Sequence, residues 1–146
     1  KMREPMQYIR QAIISAIGSQ SVSGDVVQVT NRVSKSFNPP YIWVYSVATN
    51  EIDNNQQSFT SEVITRVEVV TKYQGDAGGD LVANQLVNTC LTLLRTRTSG
   101  YFDLSSNNFK VYGCNIESVN YSQEDTDGGT YFKGIIELSN RVEQLN

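Results

Sequence analysis

The sequence predicts an α+β fold: a mainly antiparallel sheet with two helices packed on one face, in the order α-β-β-β-α-β-β. Three observations carry this. Two segments repeat apolar residues at three- and four-residue spacing, as amphipathic helices do, while five others alternate as half-buried strands do. Turn-rich connectors between most strand-like segments imply hairpins. Strand alternation leaves one sheet face polar, so both helices belong on the other. The 146 residues can bury a core without disulfides or metals. Residues 1–146 read as a single domain without internal repeats.

The first helix is expected over 5–17. Pro5 suits an opening turn, Met6, Ile9, Ile13, Ala16 and Ile17 form one stripe, and Gly18 ends it. "GSQSVSG" (18–24) reads as a connector and 26–33 as a strand, with the prolines of "SKSFNPP" breaking structure after it. "YIWVYSV" (41–47) is β-branched and aromatic, hence a strand. Residues 48–60 are polar and amide-rich, a long loop or the tip of an extended hairpin. In 61–73, Val63, Thr65, Val67, Val69, Thr71 and Tyr73 form a drier face, and Ile64, Arg66, Glu68, Val70 and Lys72 a wetter one.

A turn with Gly75, Gly78 and Gly79 leads into a second helix over 79–97. Its stripe is Val82, Leu86, Cys90, Leu93 and Leu94, flanked by Ala83, Val87 and Leu91; Asp80, Arg95 and Arg97 suit the helix dipole. Residues 98–108 read as a loop and 109–122 as a strand. There Tyr112, Cys114 and Ile116 share one parity and Val119 and Tyr121 the other, so a bulge is expected near Glu117–Ser118. "QEDTDGG" (123–129) is a hairpin turn, and 130–142 is the last strand, with Phe132, Gly134, Ile136, Leu138 and Val142 in phase.

Composition narrows the function. A net charge of −3 and a pI near 4.9 argue against a protein whose main task is holding nucleic acid. No run approaches the ~18–20 apolar residues of a membrane span, and the opening "KMREPMQYIR" lacks the apolar stretch of a secretion signal. The expectation is a soluble intracellular chain with no membrane contact, unless a signal has been removed. The two cysteines, Cys90 and Cys114, read as buried free thiols. Histidine is absent, which removes the commonest general base and transition-metal ligand. The 13 Asn and 10 Gln together outnumber the 15 acids. A surface rich in neutral hydrogen-bonding groups suits contacts that must stay soluble before they form.

The candidate chemical sites fail on their own patterns. The glycine turn has Asp80 where a phosphate loop needs lysine, and Asp76 adds a second repelling carboxylate. Its spacing also misses the dinucleotide fingerprint. "EDTDGG" resembles the start of a calcium loop with Asp125 first and Asp127 third, but the twelfth position is Ile136 in place of the anchoring acid. Glu51 and Asp53 lie in a polar loop that fixes no acid–base geometry. No serine sits in a nucleophile elbow. Tyr41, Trp43 and Tyr45 could stack nucleic-acid bases, but the alternation of Trp43 and Tyr45 fits core or interface packing better. No enzyme activity, cofactor or metal is expected.

The segment "PPYIWVYSV", the polar loop after it, and "SEVITRVEVVTKYQGDAGGDLVANQLVNTCLTLL" together resemble the tail terminator (tail-completion) family of long-tailed bacteriophages. Matching parts are residues 5–17, 40–47, 63–73, 75–79, 82–94 and 109–142. The resemblance implies a virion protein, assembled in the host cytoplasm, that forms a homomeric ring, usually a hexamer, at the head-proximal end of the tail. Such a ring stops growth of the tail tube, meets the head–tail connector protein, and lets genome DNA pass without specific binding. Two alternatives stay open: a head–tail connector, stopper or collar ring, and a small ligand-binding α+β module.

Expected contact elements are the 48–60 loop, with Asn50, Glu51, Asp53, Asn54, Asn55, Gln56 and Gln57, and the 123–129 tip, with Glu124, Asp125 and Asp127. Arg66 and Lys72, on the wetter face of the long strand, are expected to meet acids of an adjoining subunit.

Overall fold

The structure is a computed structural model that describes residues 3–18, 20–22, 25–31, 40–52, 59–73, 81–94, 102–126 and 128–145. Its elements are α1 (Met6–Ile17), β1 (Gln20–Val22), β2 (Asp25–Thr30), β3 (Tyr41–Glu51), β4 (Phe59–Tyr73), α2 (Leu81–Leu94), a 3-10 turn (Ser105–Asn107), β5 (Phe109–Thr126) and β6 (Gly129–Gln144). The strands form one sheet in the order β1-β2-β3-β4-β6-β5. Neighbours are antiparallel except β2 and β3, which run parallel. The α+β order is the expected one, with the three-residue β1 added.

Several boundaries move. The predicted 26–33 strand is β2, and the 18–24 connector contributes β1, which pairs with β2. β3 runs four residues past Val47, so Asn50 and Glu51 lie in a paired strand rather than a loop. β5 likewise continues to Thr126, which pairs with Gly129, and Glu124 and Asp125 become strand residues. The bulge expected near Glu117–Ser118 is present, and a second lies between Val111 and Gly113. That second bulge removes Tyr112 from the phase of Cys114. The glycine turn over 75–79 lies outside the described residues.

Period-two alternation in β4 decides which face is dry. Val63, Thr65, Val67, Val69 and Thr71 are buried. On the same side lie Ile42 and Val44 of β3 and Ile136, Leu138 and Val142 of β6. Both helices cover this face. α1 lies over β2, β3 and β4, α2 over β4 and β6, and the helices touch. α1 buries Ile9, Ile13 and Ile17. Gly18 closes it at φ 63°, where its N–H donates to Ile14 O at 3.0 Å; only glycine holds that conformation cheaply. α2 buries Ala83, Leu86, Val87, Cys90 and Leu94, whereas Leu93 is 43% exposed. The true stripe follows Ala83, Val87, Cys90 and Leu94, and Leu93 precedes Leu94 by one helical step of about 100°.

The chain before α1 is pinned to the sheet. The Glu4 carboxylate accepts the Met6 N–H at 3.0 Å and the Thr49 hydroxyl at 2.7 Å. The Arg3 N–H donates to Gln144 Oε1 at 2.7 Å, and its guanidinium sits 4.9 Å from the centre of the Phe109 ring. Tyr8 packs on the same ring at 5.7 Å.

Gly134 permits the close approach of α2. A Cβ there would stand 2.5 Å from Val87 Cγ2 and 3.3 Å from the ring of Tyr121, its cross-strand partner. We expect Gly134→Ala to cost about 1–3 kcal/mol through overpacking, read as a lower urea midpoint. Thr65 has the opposite character: it is fully buried and its hydroxyl has no hydrogen-bond partner. Thr65→Val replaces that hydroxyl by a methyl of similar size, and a gain of about 1 kcal/mol in the same unfolding assay is expected.

Candidate functional site

Among the described residues no helix lies on the sheet face opposite α1 and α2, and its side chains form cross-strand rows. One row runs Tyr45, Arg66, Glu137 and the next runs Trp43, Glu68, Ile135. A third runs Tyr41, Val70, Lys133 and ends at Ser122 of β5. Tyr41, Trp43 and Tyr45 therefore stand outside the core, because Ile42 and Val44 take the inward positions of β3. The Trp43 and Tyr45 rings lie 4.2 Å apart, and the indole N–H donates to Asn31 O at 3.3 Å. After Ser46 a bulge leaves Val47 42% exposed.

Arg66, Glu68 and Lys72 on this face have partners inside the subunit. Arg66 Nε donates to the Glu137 carboxylate at 3.0 Å. Hydrogen bonds to Glu137 and then to Tyr45 hold the guanidinium above its ordinary value. Glu68 is 8% exposed, with Lys133 Nζ 3.8 Å from its carboxylate. Lys72 Nζ lies 5.2 Å from the centre of the Tyr131 ring and reaches over the β5–β6 turn toward Gly128. Both cations expected to seek acids on an adjoining subunit thus have partners in their own.

The remaining candidates divide between the two ends of the sheet. Asn50 pairs with Glu62 and Glu51 with Ser61 at the β3–β4 end. Glu124 pairs with Tyr131 and Asp125 with Thr130 at the other. Asp125 Oδ1 accepts the Thr130 hydroxyl at 3.0 Å and the Gln123 amide at 3.3 Å. Asp53, Asn54, Asn55, Gln56, Gln57 and Asp127 lie outside the described residues. The structure therefore separates the described candidates rather than gathering them. Among the described residues no cluster of three or more His, Cys, Asp or Glu could hold a metal, and no helix is long and apolar enough to cross a membrane.

Two shallow hollows lie among the described residues. One, of about 180 Å³, lies between α2 and the β5–β6 hairpin, lined by Ala83, Tyr121, Gln123 and Phe132. The other, of about 400 Å³, lies beside the start of β5, lined by Phe102, Leu104, Phe109 and Leu145 with Asp103 and Lys110. The Asp103 carboxyl is held low by hydrogen bonds from the Ser105 hydroxyl and N–H. It thus serves the local turn. Both linings are mainly apolar in surface, and the first also holds Ser122 and Lys133.

Glu68, expected on the wetter face of the long strand, lies on that face but is buried there, level with Trp43. It acts on the phenols beside it. Burial first and the Glu68 charge second push Tyr41 and Tyr45 above their ordinary 10.0. Burial also pushes the Cys90 thiol from 9.0 up to about 12. All three groups favour their neutral forms when folded. Their stabilisation is complete below the unfolded values and is lost as pH rises through the folded ones. Stability should fall steadily from about pH 9 upward, and Glu68→Gln should move tyrosinate absorbance to lower pH. A comparison with protein-family models finds no match, and a comparison with curated proteins finds none.

Proposed function

We propose that this protein is a structural, non-enzymatic component of a phage tail, a homomeric ring that caps the tail tube and joins it to the head connector. The observation that carries the reading is the placement of contact candidates at opposite ends of one sheet. Residues 50–51 and 124–125 are separated by most of the length of β4, which has 15 residues and spans roughly 45–50 Å. A ring that joins two different structures needs two axial surfaces, and strands running along the ring axis provide one at each end. The resemblance of residues 40–94 to tail terminators points the same way.

The internally paired face supports assembly as well. Its aromatic row offers area, and its preformed Arg66–Glu137 and Lys133–Glu68 pairs cost less to cover than isolated ions would. A net charge of −3 suits a ring through which DNA passes without being held. A head–tail connector, stopper or collar ring would use the same two ends and remains the second reading.

The test is mass in solution and electron microscopy of the purified protein, alone and with tail tubes. We expect closed rings, for a hexamer of six times the 16.3 kDa subunit mass, formed alone or when tubes are added. Emission of Trp43, the single tryptophan, should shift when the open face is covered. A protein that stays monomeric under both conditions, yet gains thermal stability with a small molecule, would be a ligand-binding module instead.

A further inference from the structure

We infer that neighbouring copies join edge to edge, the second half of β5 in one copy adding to β2 of the next, so that the sheet continues around the assembly. This rests on the ring reading above and assigns the subunit contact within it.

β5 forms one edge of the sheet over its whole length, and residues 120–126 are all exposed. Both of its bulges lie earlier, the later between Ile116 and Ser118, and from Ser118 onward the ladder with β6 is regular. Bulges blunt an edge against pairing, so the second half of β5 is the unprotected part. At the opposite edge, β1 covers only residues 25–27 of β2, and among the described residues no strand lies beyond Gln28 and Val29.

The two edges match in direction and in level. β2 is parallel to β3, and three antiparallel steps lead from β3 through β4 and β6 to β5. β5 therefore runs opposite to β2. Copies related by rotation about an axis along the strands would bring the two edges together as an antiparallel pair. Three rows cross the sheet from β2 to β5: Gln28–Tyr41–Val70–Lys133–Ser122, Val29–Ile42–Val69–Gly134–Tyr121 and Thr30–Trp43–Glu68–Ile135–Asn120. Residues 120–122 thus stand at the level of residues 28–30, and a rotation without axial shift sets them side by side.

The side chains agree with this register. On the open face Ser122 would meet Gln28, both neutral and polar. On the helix side Tyr121, 52% exposed where α2 does not reach, would cover the half-buried Val29. Aromatic and β-branched partners are favourable cross-strand pairs. The contact is heterologous, because two different edges meet, and such contacts close into rings when the rotation permits.

The test is disulfide trapping with Gln28→Cys and Ser122→Cys, both at exposed positions, since the native Cys90 and Cys114 are buried. Mixed in equal amounts under mild oxidation, the single variants should give a covalent dimer that reductant dissolves. Each alone should give none, and the double variant should give a ladder of linked subunits. Lys110→Cys, on the bulged half of β5, mixed with Gln28→Cys should not link. Dimers of Ser122→Cys alone would show β5 pairing with itself and overturn the proposal. So would a mixture that links no better than the Lys110 control. Rings of unmodified protein without the cross-link would refute this contact and leave the ring reading intact. A wild-type protein that is monomeric with and without tubes would end both.

Discussion

The dry parity of β4 is the constraint on which the rest depends. Val63, Thr65, Val67, Val69 and Thr71 lie on one side of a strand that pairs with β3 and β6 along most of its length. Both helices bury their stripes against that side. A slip of one residue would turn Arg66, Glu68 and Lys72 toward the helices and into the apolar core. Register is therefore strongly specified, and one face must stay free of helices. The open aromatic face, the two ends and the two edges all follow from where β4 places its side chains.

The helices are too narrow to cover the sheet they share. α1 serves the β2–β4 side and α2 the β4–β6 side, and Gly134 lets α2 settle so deeply that Val87 sits against β6 backbone. The second half of β5 is left beyond the reach of α2. Tyr121 partly fills the gap by laying its ring over Gly134, yet keeps half its surface in solvent. An unbulged edge is a feature that solitary proteins usually suppress. Its presence here follows from the same packing that orders the core.

Much of this was legible in the sequence because period two and period 3.6 are read from side-chain chemistry alone. The alternation in β4, the stripe of α1 and the parity switch at Glu117 all appear in the fold. What was missed depended on partners that a local pattern cannot see. Polar residues 48–51 resemble loop, but pairing with β4 extends β3 through them. Trp43 and Tyr45 alternate as core residues would, yet Ile42 and Val44 do the same, and only the location of the helices decides between the two sets. Arg66 and Lys72 looked available because Glu137 and Tyr131 lie about 60 or more residues further along the chain and meet them only across β6. The second bulge at Tyr112 left no parity switch long enough to notice.

The distribution of charge ties fold to assembly. On the open face three charged side chains of β4 have partners that move with them: Arg66 with Glu137, Glu68 with Lys133, Lys72 with the Tyr131 ring. Pairs formed before association need not be broken or rebuilt when the face is covered, so the desolvation cost of a contact is smaller than for isolated ions. The exposed acids Glu51, Glu124 and Asp125 instead stand at the ends of the sheet, where they discourage phosphate and leave partner choice to the neutral side chains around them. A nucleic-acid platform would need the reverse arrangement, with free cations beside Trp43 and Tyr45. The same residues that make this face a poor phosphate surface make it a suitable protein surface, and the proposed ring uses that difference.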